Sequence, residues 1–289
     1  MSIEILINAL FFGIIIGMVY ALSALGLTLI YGVMRLINLS HGQMLMLSGF
    51  FSYTLLTLFN IDPIISLPLV VILFILLGLL FHNSLIKPII KAPLIESLLI
   101  TYAFGMILEN LAIIVWGVDY RSIVTSYSIY SIKIGSISIS LSRLLAAILA
   151  LLVSILTYFL LVKTKFGKAI RACAQDPIAS ELMGINYHRV AMLTTVLSTS
   201  IIAIAGPLLA MIFLIYPAVG GMYTLKAYCM IVLGGVGSAL GALIGGLLFG
   251  ISEALAAVLL PSGFKDAVAY GLLVLLLLIK PTGLIKGYK

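Results

Sequence analysis

Residues Ile5 to Met34 read ILINALFFGIIIGMVYALSALGLTLIYGVM, thirty consecutive positions without a charge. A helix needs about 20 mostly apolar residues to cross the hydrocarbon core of a bilayer. The run exceeds that length and is read as a membrane span. The rest of the chain follows suit: of 289 residues, 63% are apolar and 9% charged, and mean hydropathy is +1.32. A soluble domain carries about 25% charged residues. A chain this apolar would expose hydrophobic patches beyond what a soluble monomer tolerates. Composition therefore excludes a soluble enzyme and leaves no room for a large attached soluble domain. It predicts an all-α, polytopic membrane helix bundle forming a single transmembrane domain over residues 1–289.

Marking the charges divides the chain into further spans: Leu36 to Ile61, Pro63 to Ile86, Ala92 to Val118, Leu144 to Val162, Val190 to Tyr216 and Ala267 to Ile279. The second opens on a polar, glycine-broken stretch, Ile37-Asn38-Leu39-Ser40-His41-Gly42-Gln43. The region Ala227 to Leu260 is too long for one simple span. Its glycines at 234, 235, 237, 241, 245, 246 and 250 predict two passes or re-entrant half-helices. The expectation is eight or nine passes, with broken helices among them.

Sixteen Lys/Arg against nine Asp/Glu give a net charge of +7. The basic residues lie scattered between apolar runs, which is the pattern of topology-setting loops and not of a nucleic-acid surface. The connector 163–189 holds Lys163, Lys165, Lys168, Arg171 and Arg189. Placing it in the cytoplasm brings Arg35, Lys87 and Lys91 to the same side, and Lys280, Lys286 and Lys289 too if the glycine-rich region crosses twice. Arg121, Lys133, Arg143, Lys226 and Lys265 are then external. The N-terminus is accordingly expected outside and the C-terminus in the cytoplasm. Met1-Ser2-Ile3-Glu4 lacks a basic n-region, and no A-x-A site follows, so the first run reads as an uncleaved span. Cys173 and Cys229 fall in different segments and suggest no disulfide framework.

Two connectors carry structure of their own. In the external loop 119–143, Ile132, Ile134, Ile137 and Ile139 alternate around Gly135-Ser136, the pattern of a short β-hairpin. It reads either as a lid on the helix ends or as a docking surface for an extracytoplasmic partner. In the cytoplasmic connector, Asp176 suits an N-cap, Pro177 the first helical position and Gly184 the position just past the end. The enclosed helix, Pro177 to Met183, is about 10 Å long. Ile178 and Leu182 form a small apolar face. So short a helix needs something to pack on. It packs either on its own bundle or into a groove of a separate cytoplasmic subunit.

Three blocks now point to a family. Gly167-Lys-Ala-Ile-Arg-Ala-Cys-Ala-Gln-Asp, followed by Ala179 and Leu182-Met-Gly-Ile-Asn, is similar to the coupling-loop signature of branched-chain amino acid ABC importer permeases. Gly26-Leu-Thr-Leu-Ile-Tyr-Gly-Val-Met-Arg-Leu-Ile-Asn-Leu-Ser-His-Gly-Gln resembles that family's second hallmark. Val232-Leu-Gly-Gly-Val-Gly-Ser-Ala-Leu-Gly-Ala-Leu-Ile-Gly-Gly resembles its third, and Lys280-Pro-Thr-Gly-Leu its C-terminal ending. Cys173, where a small residue such as Thr is expected, and Ser40, where Ala is common, are the departures. Short loops and the absence of a nucleotide domain match the shorter of the two permease types. The resemblance implies ATP-driven import of leucine, isoleucine and valine across a bacterial inner membrane. It implies a second, longer permease subunit, two cytoplasmic ABC ATPase subunits and a periplasmic substrate-binding protein as partners. It also implies that the segment Asp176, Pro177, Ile178, Ala179, Glu181, Leu182, Met183 and Gly184 docks in the ATPase groove. Urea, short amides and other amino acids are alternative substrates within the same superfamily.

Polar groups at membrane depth are costly and mark candidate function. Asn38, His41, Gln43, Glu109, Asn110 and Glu253 are accordingly candidates for the translocation path, each against the plainer reading of a snorkelling side chain or an interhelical hydrogen bond. A path for leucine-like substrates is expected to be mostly apolar. The glycine run, with G-x-x-x-G at 241–245 and again at 246–250, reads as close helix packing, within the chain or across a permease dimer, or as a flexible gate. No G-x-x-x-x-G-K-[ST] occurs, so ATP is expected on partner subunits and no cofactor on this chain. The histidines at 41, 82 and 188 share no metal-ligand spacing, and no G-x-S-x-G is present. An ion-coupled secondary transporter would rest on Glu109 and Glu253 and on a repeat of broken helices that the sequence does not show. A channel or scaffold would leave the capped cytoplasmic helix unexplained.

Overall fold

The computed structural model describes residues 3–90, 92–134, 137–261, 264–280 and 283–285. Lys91, the Gly135-Ser136 turn, Pro281-Thr282 of the C-terminal block, Lys286 and Lys289 lie outside the described residues. The helices are α1 (Ile3–Met34), α2 (His41–Phe59), α3 (Pro63–Phe81), the short α4 (Lys87–Ile89), α5 (Leu94–Trp116), α6 (Leu141–Lys163), α7 (Lys165–Gln175), α8 (Pro177–Leu182), α9 (Tyr187–Ala210), α10 (Val219–Gly234), α11 (Ala239–Leu259) and α12 (Lys265–Ile279). Among the described residues, seven helices are long and apolar enough to cross a membrane: α1, α2, α3 continued through α4, α5, α6, α9 and α11. At 16 and 15 residues, α10 and α12 are shorter. The expected count of eight includes the α12 segment, and nine also counts a separate pass from the region that holds α10.

Local chemistry sets most boundaries. Asp62 caps α3 by accepting from the Ile64 amide at 2.9 Å, with Pro63 in the first turn. A π-turn, His82–Ile86, carries α3 into α4. Asn60 ends α2 and Arg35 ends α1, both in the left-handed region at φ 53° and 50°. The hairpin forms as its alternation predicts, with β1 (Ser131–Ile134) antiparallel to β2 (Ile137–Ser140) and Ser131 opposite Ser140. The Tyr127 hydroxyl ties the preceding loop to the α3 cap by donating to Asp62 Oδ1 at 3.2 Å. Burial first, then the neighbouring Asp62 charge, push the Tyr127 phenol up to about 12. It therefore stays a donor at physiological pH.

The glycine-rich run divides at Gly235-Val236-Gly237-Ser238, with Gly235 and Gly237 at φ 111° and 79°. Ser238 caps α11 by accepting from the Gly241 amide at 3.0 Å. The glycines pack within the chain. Gly13, Gly17 and Ala21 of α1 meet Ile251, Leu247 and Gly246 of α11 in antiparallel order, and Gly245 lies on Met230 of α10. A Cβ at Gly250 would lie 2.5 Å from the Gly17 Cα, and one at Gly246 would collide with Ala21. The stripe that could have joined two permeases is spent on the chain's own α1, where small residues let backbones approach. Residues 283–285 close the same end: the Leu284 and Ile285 amides donate to the Leu233 and Gly234 carbonyls that α10 leaves unpaired.

Lys226 departs from the expected topology. It lies inside α10 and is buried, not in an external connector. Cutting the sequence at each charge had begun the glycine-rich region at Ala227, whereas the helix begins at Val219.

Filling the α1–α11 contact tests this packing. Gly246→Val and Gly250→Val are expected to overpack by about 1–3 kcal/mol each and to lower the melting temperature in detergent. Gly271→Ala, where an added Cβ meets nothing within 4 Å, is expected to leave it unchanged. Equal melting temperatures for all three would show that the stripe does not hold α1 to α11.

Candidate functional site

Two regions carry chemistry beyond packing. The first is the connector that leaves the bundle after α6. Gly167 sits so close under the end of α6 that any Cβ would collide with the Leu160 and Leu161 carbonyls. Arg171 reaches back and donates to the Leu161 and Val162 carbonyls, capping α6 with a cation. Ile170, Cys173 and Ala174 bury one face of α7.

From there α8 is built as its residues predict. Asp176 Oδ1 accepts from the Ile178 and Ala179 amides at 2.9 and 3.0 Å, with Pro177 at the first position. The helix ends one residue earlier than expected, at Leu182, with Met183 as its cap. Gly184 follows at φ 82°, its amide donating to the Glu181 carbonyl, while the Ile185 amide donates to the Ser180 carbonyl. Those two bonds form a Schellman motif. Ser180 turns inward, 3.4 Å from Cys173 Sγ. Ile178, Leu182 and Met183 turn away from the bundle and are 74%, 84% and 83% exposed. Ala179 and Glu181 are exposed beside them. The chain's own bundle therefore does not cover this apolar face.

The second region is the break between α1 and α2. Backbone without helical bonds at this depth needs partners from neighbouring elements. Asn38 Oδ1 accepts from the Ser40 amide at 3.1 Å and from the Ser40 hydroxyl at 2.6 Å. Thr101 of α5 accepts from the Leu39 amide at 3.1 Å and lies 3.0 Å from the Ile37 carbonyl. Thr224 of α10 accepts from the Gly42 amide at 2.9 Å and stands 3.4 Å from Gln43 Oε1. His41 Nε2 is 3.1 Å from the Ser23 carbonyl. A Cβ on Gly42 would collide with the Gly220 carbonyl, and one on Gly220 would lie 2.8 Å from the Gln43 Cα, so α2 and α10 cross at glycine distance. Asn38 Nδ2 and His41 Nδ1 are buried without a hydrogen-bond partner among the described residues.

The structure thus sets Gln43 beside Thr224, keeps Asn38 within the break on Ser40 and turns His41 to Ser23 of α1. It places the other candidates elsewhere. Glu109 is half-buried on the flank of α5, and Asn110 is exposed, bonding its own helix at the Met106 carbonyl. Glu253 lies on α11, where Oε1 meets Lys226 Nζ at 2.7 Å; Lys226 also reaches the Tyr20 hydroxyl at 3.3 Å. Thr101, Thr224 and Ser23 have no sequence signal, because a hydroxyl in an apolar helix ordinarily bonds its own turn. Lys226 had one, as a cation in the middle of a segment with helical length.

A buried pair cannot lose one member cheaply, because the survivor is a desolvated charge. Lys226→Met or Glu253→Gln alone is expected to cost about 3–5 kcal/mol of stability, seen as a lower melting temperature in detergent. The double variant is expected to recover most of that loss. A double variant no more stable than either single one would show that the two charges are not coupled.

With this geometry in view, the comparisons with known proteins are specific. The model for the permease component of branched-chain amino acid transport systems matches residues 9–278. The high-affinity branched-chain amino acid transport system permease protein BraD of Pseudomonas aeruginosa is 30% identical over 94% of this chain and 93% of its own length. The corresponding LivH protein of Escherichia coli is 30% identical over 96% and 95%. A probable branched-chain amino acid transport permease protein LivH of Methanocaldococcus jannaschii is 32% identical over 95% and 89%. No solved structure matches. The match spans nearly the whole chain and includes the α1–α2 break, the connector bearing α8 and the α10–α11 break, and on it the chain belongs to the family of permease components of branched-chain amino acid transport systems.

Proposed function

We propose that the chain is the membrane-spanning permease subunit of an ATP-driven importer that moves leucine, isoleucine and valine into the cytoplasm. The observation that carries the reading is the capped, outward-facing apolar surface of α8, formed by Ile178, Leu182 and Met183. In water such a surface is unfavourable by about 25 cal/mol per Å², and the remedy is a groove on another subunit. The sequence has no phosphate-binding loop of its own, so the energy source is a partner: two cytoplasmic ATPase subunits that bind ATP and receive α8. A second, longer permease completes the path, and a periplasmic binding protein delivers the substrate. The N-terminus is external and the C-terminus cytoplasmic in this assembly.

Coupling follows from how α8 is mounted. Asp176 joins it to α7, which Arg171 ties to the end of α6, and Ile185 and Asn186 lead directly into α9. A push on α8 reaches two spans at once. The path is placed beside the break at Asn38–Gln43, where Asn38 Nδ2 and His41 Nδ1 are buried without a hydrogen-bond partner among the described residues. An ion-coupled carrier gains no support from Glu253, which Lys226 neutralises.

Ile178→Asp and Leu182→Asp test the docking directly. Each removes an apolar contact worth about 1.5–3 kcal/mol, so copurified ATPase is expected to fall about tenfold or more and uptake with it. Glu4→Gln, exposed in the first turn of α1, should leave both unchanged. Normal assembly and uptake in both aspartate variants would overturn the reading.

A further inference from the structure

The outward faces of the peripheral helices are not equivalent. On α3 the exposed side chains include Ile65, Ile72 and Leu76, and on α6 they include Ile148, Leu152 and Leu156. These faces are apolar, as lipid requires. On α5 the buried stripe Ser97, Thr101, Gly105, Leu108 and Ala112 turns toward α2, and Trp116 fixes that contact by donating to Thr54 at 2.7 Å. The remaining surface of α5 carries Tyr102, Met106, Glu109 and Asn110 among the exposed apolar residues Leu99, Ile107, Leu111, Ile114 and Val115. Glu109 stands seven residues from Trp116, about 10 Å inside the nearer end of the helix. Among the described residues it is the acidic side chain that a membrane-length helix shows on its outer surface away from its ends. A carboxylate at that depth is not left against acyl chains; it faces protein or water.

We infer that the outward face of α5, centred on Met106, Glu109 and Asn110, is the surface that contacts the second, non-identical permease subunit of the transporter, with a hydrogen-bond donor or cation of that subunit opposite Glu109. The inference rests on the importer reading. Three observations narrow the occupant. The glycine stripe of α11, the other feature suited to joining membrane subunits, is filled by α1. The faces of α3 and α6 offer lipid what it accepts. A second copy of this chain fits poorly, because a two-fold axis along the membrane normal holds both copies of Glu109 at one depth and brings carboxylate toward carboxylate in a low dielectric. A different chain can present a donor there.

Photocrosslinking in membranes containing the whole transporter tests the placement. Benzoylphenylalanine is introduced at Met106 or Ile107 of α5, and at Leu76 of α3 or Leu152 of α6 as controls. The expected result is an adduct from α5 to a second polytopic chain that copurifies with the ATPases, and no protein adduct from the controls. Adducts between copies of this chain, an absence of protein adducts from α5, or equal adducts from the controls would each overturn it. Substitution gives an independent reading. Glu109→Gln keeps an acceptor and is expected to retain the second membrane subunit, whereas Glu109→Leu is expected to reduce its copurification about tenfold, the scale of one interhelical hydrogen bond. Unchanged copurification in Glu109→Leu would set the residue against lipid and end the proposal. Failure here and failure of the importer reading are distinguishable: a complex that retains its ATPases but yields no α5 adduct sinks this placement alone, whereas a chain that purifies without any ATPase sinks the importer reading.

Discussion

Inside a bilayer a backbone amide has no water to turn to, and much of this structure answers that constraint. The α1–α2 connection leaves the helical register at Arg35 and resumes it at His41. Every neighbour of that break supplies something: Asn38 and Ser40 from the break itself, Thr101 from α5, and Thr224 from α10. Those donors and acceptors work only at close range, so α2 and α10 cross where both have glycine. The second break, after α10, meets the same demand with the C-terminal residues Leu284 and Ile285. Irregular backbone is therefore confined to places where the fold has already arranged its hydrogen bonds.

Packing follows a second rule set by the solvent. Lipid tails are as apolar as leucine, so apolar burial gives helices little reason to prefer each other over lipid. Close backbone contact and polar pairing must supply the preference. The α1–α11 contact uses Gly13, Gly17, Gly246 and Gly250 for the first. Lys226, Glu253 and Tyr20 use the second to join α10, α11 and α1. Large apolar side chains fill the core and also cover the outer faces of α3, α5 and α6, where a soluble protein would carry charge.

The connector after α6 obeys the opposite solvent. Thr164 and Asp176 cap the starts of its two helices and Gly184 closes the end of α8, which suits helices too short to persist in water alone. The connector is fastened to α6 and α9, and the bundle does not cover the apolar face of α8. Helix α9 adjoins both α2 and α8 in the packing.

What the sequence determined by itself is what depends on near neighbours. Charge-free runs of spanning length set the bundle, isoleucine alternation set the hairpin, and Asp176, Pro177 and Gly184 set α8, because caps, turns and hydropathy act within a few residues. The polar break was legible too, since Asn38, His41 and Gln43 interrupt an apolar run. Only the tertiary structure decided which groups meet. It paired Lys226 with Glu253, brought Thr101 and Thr224 to the break, laid the glycine stripe against α1 and turned Glu109 away from the polar cluster. Each of those outcomes depends on helix rotation and on partners dozens to nearly two hundred residues away. Within a membrane, rotation is set by which small or polar side chains find each other across helices, and no local pattern encodes that.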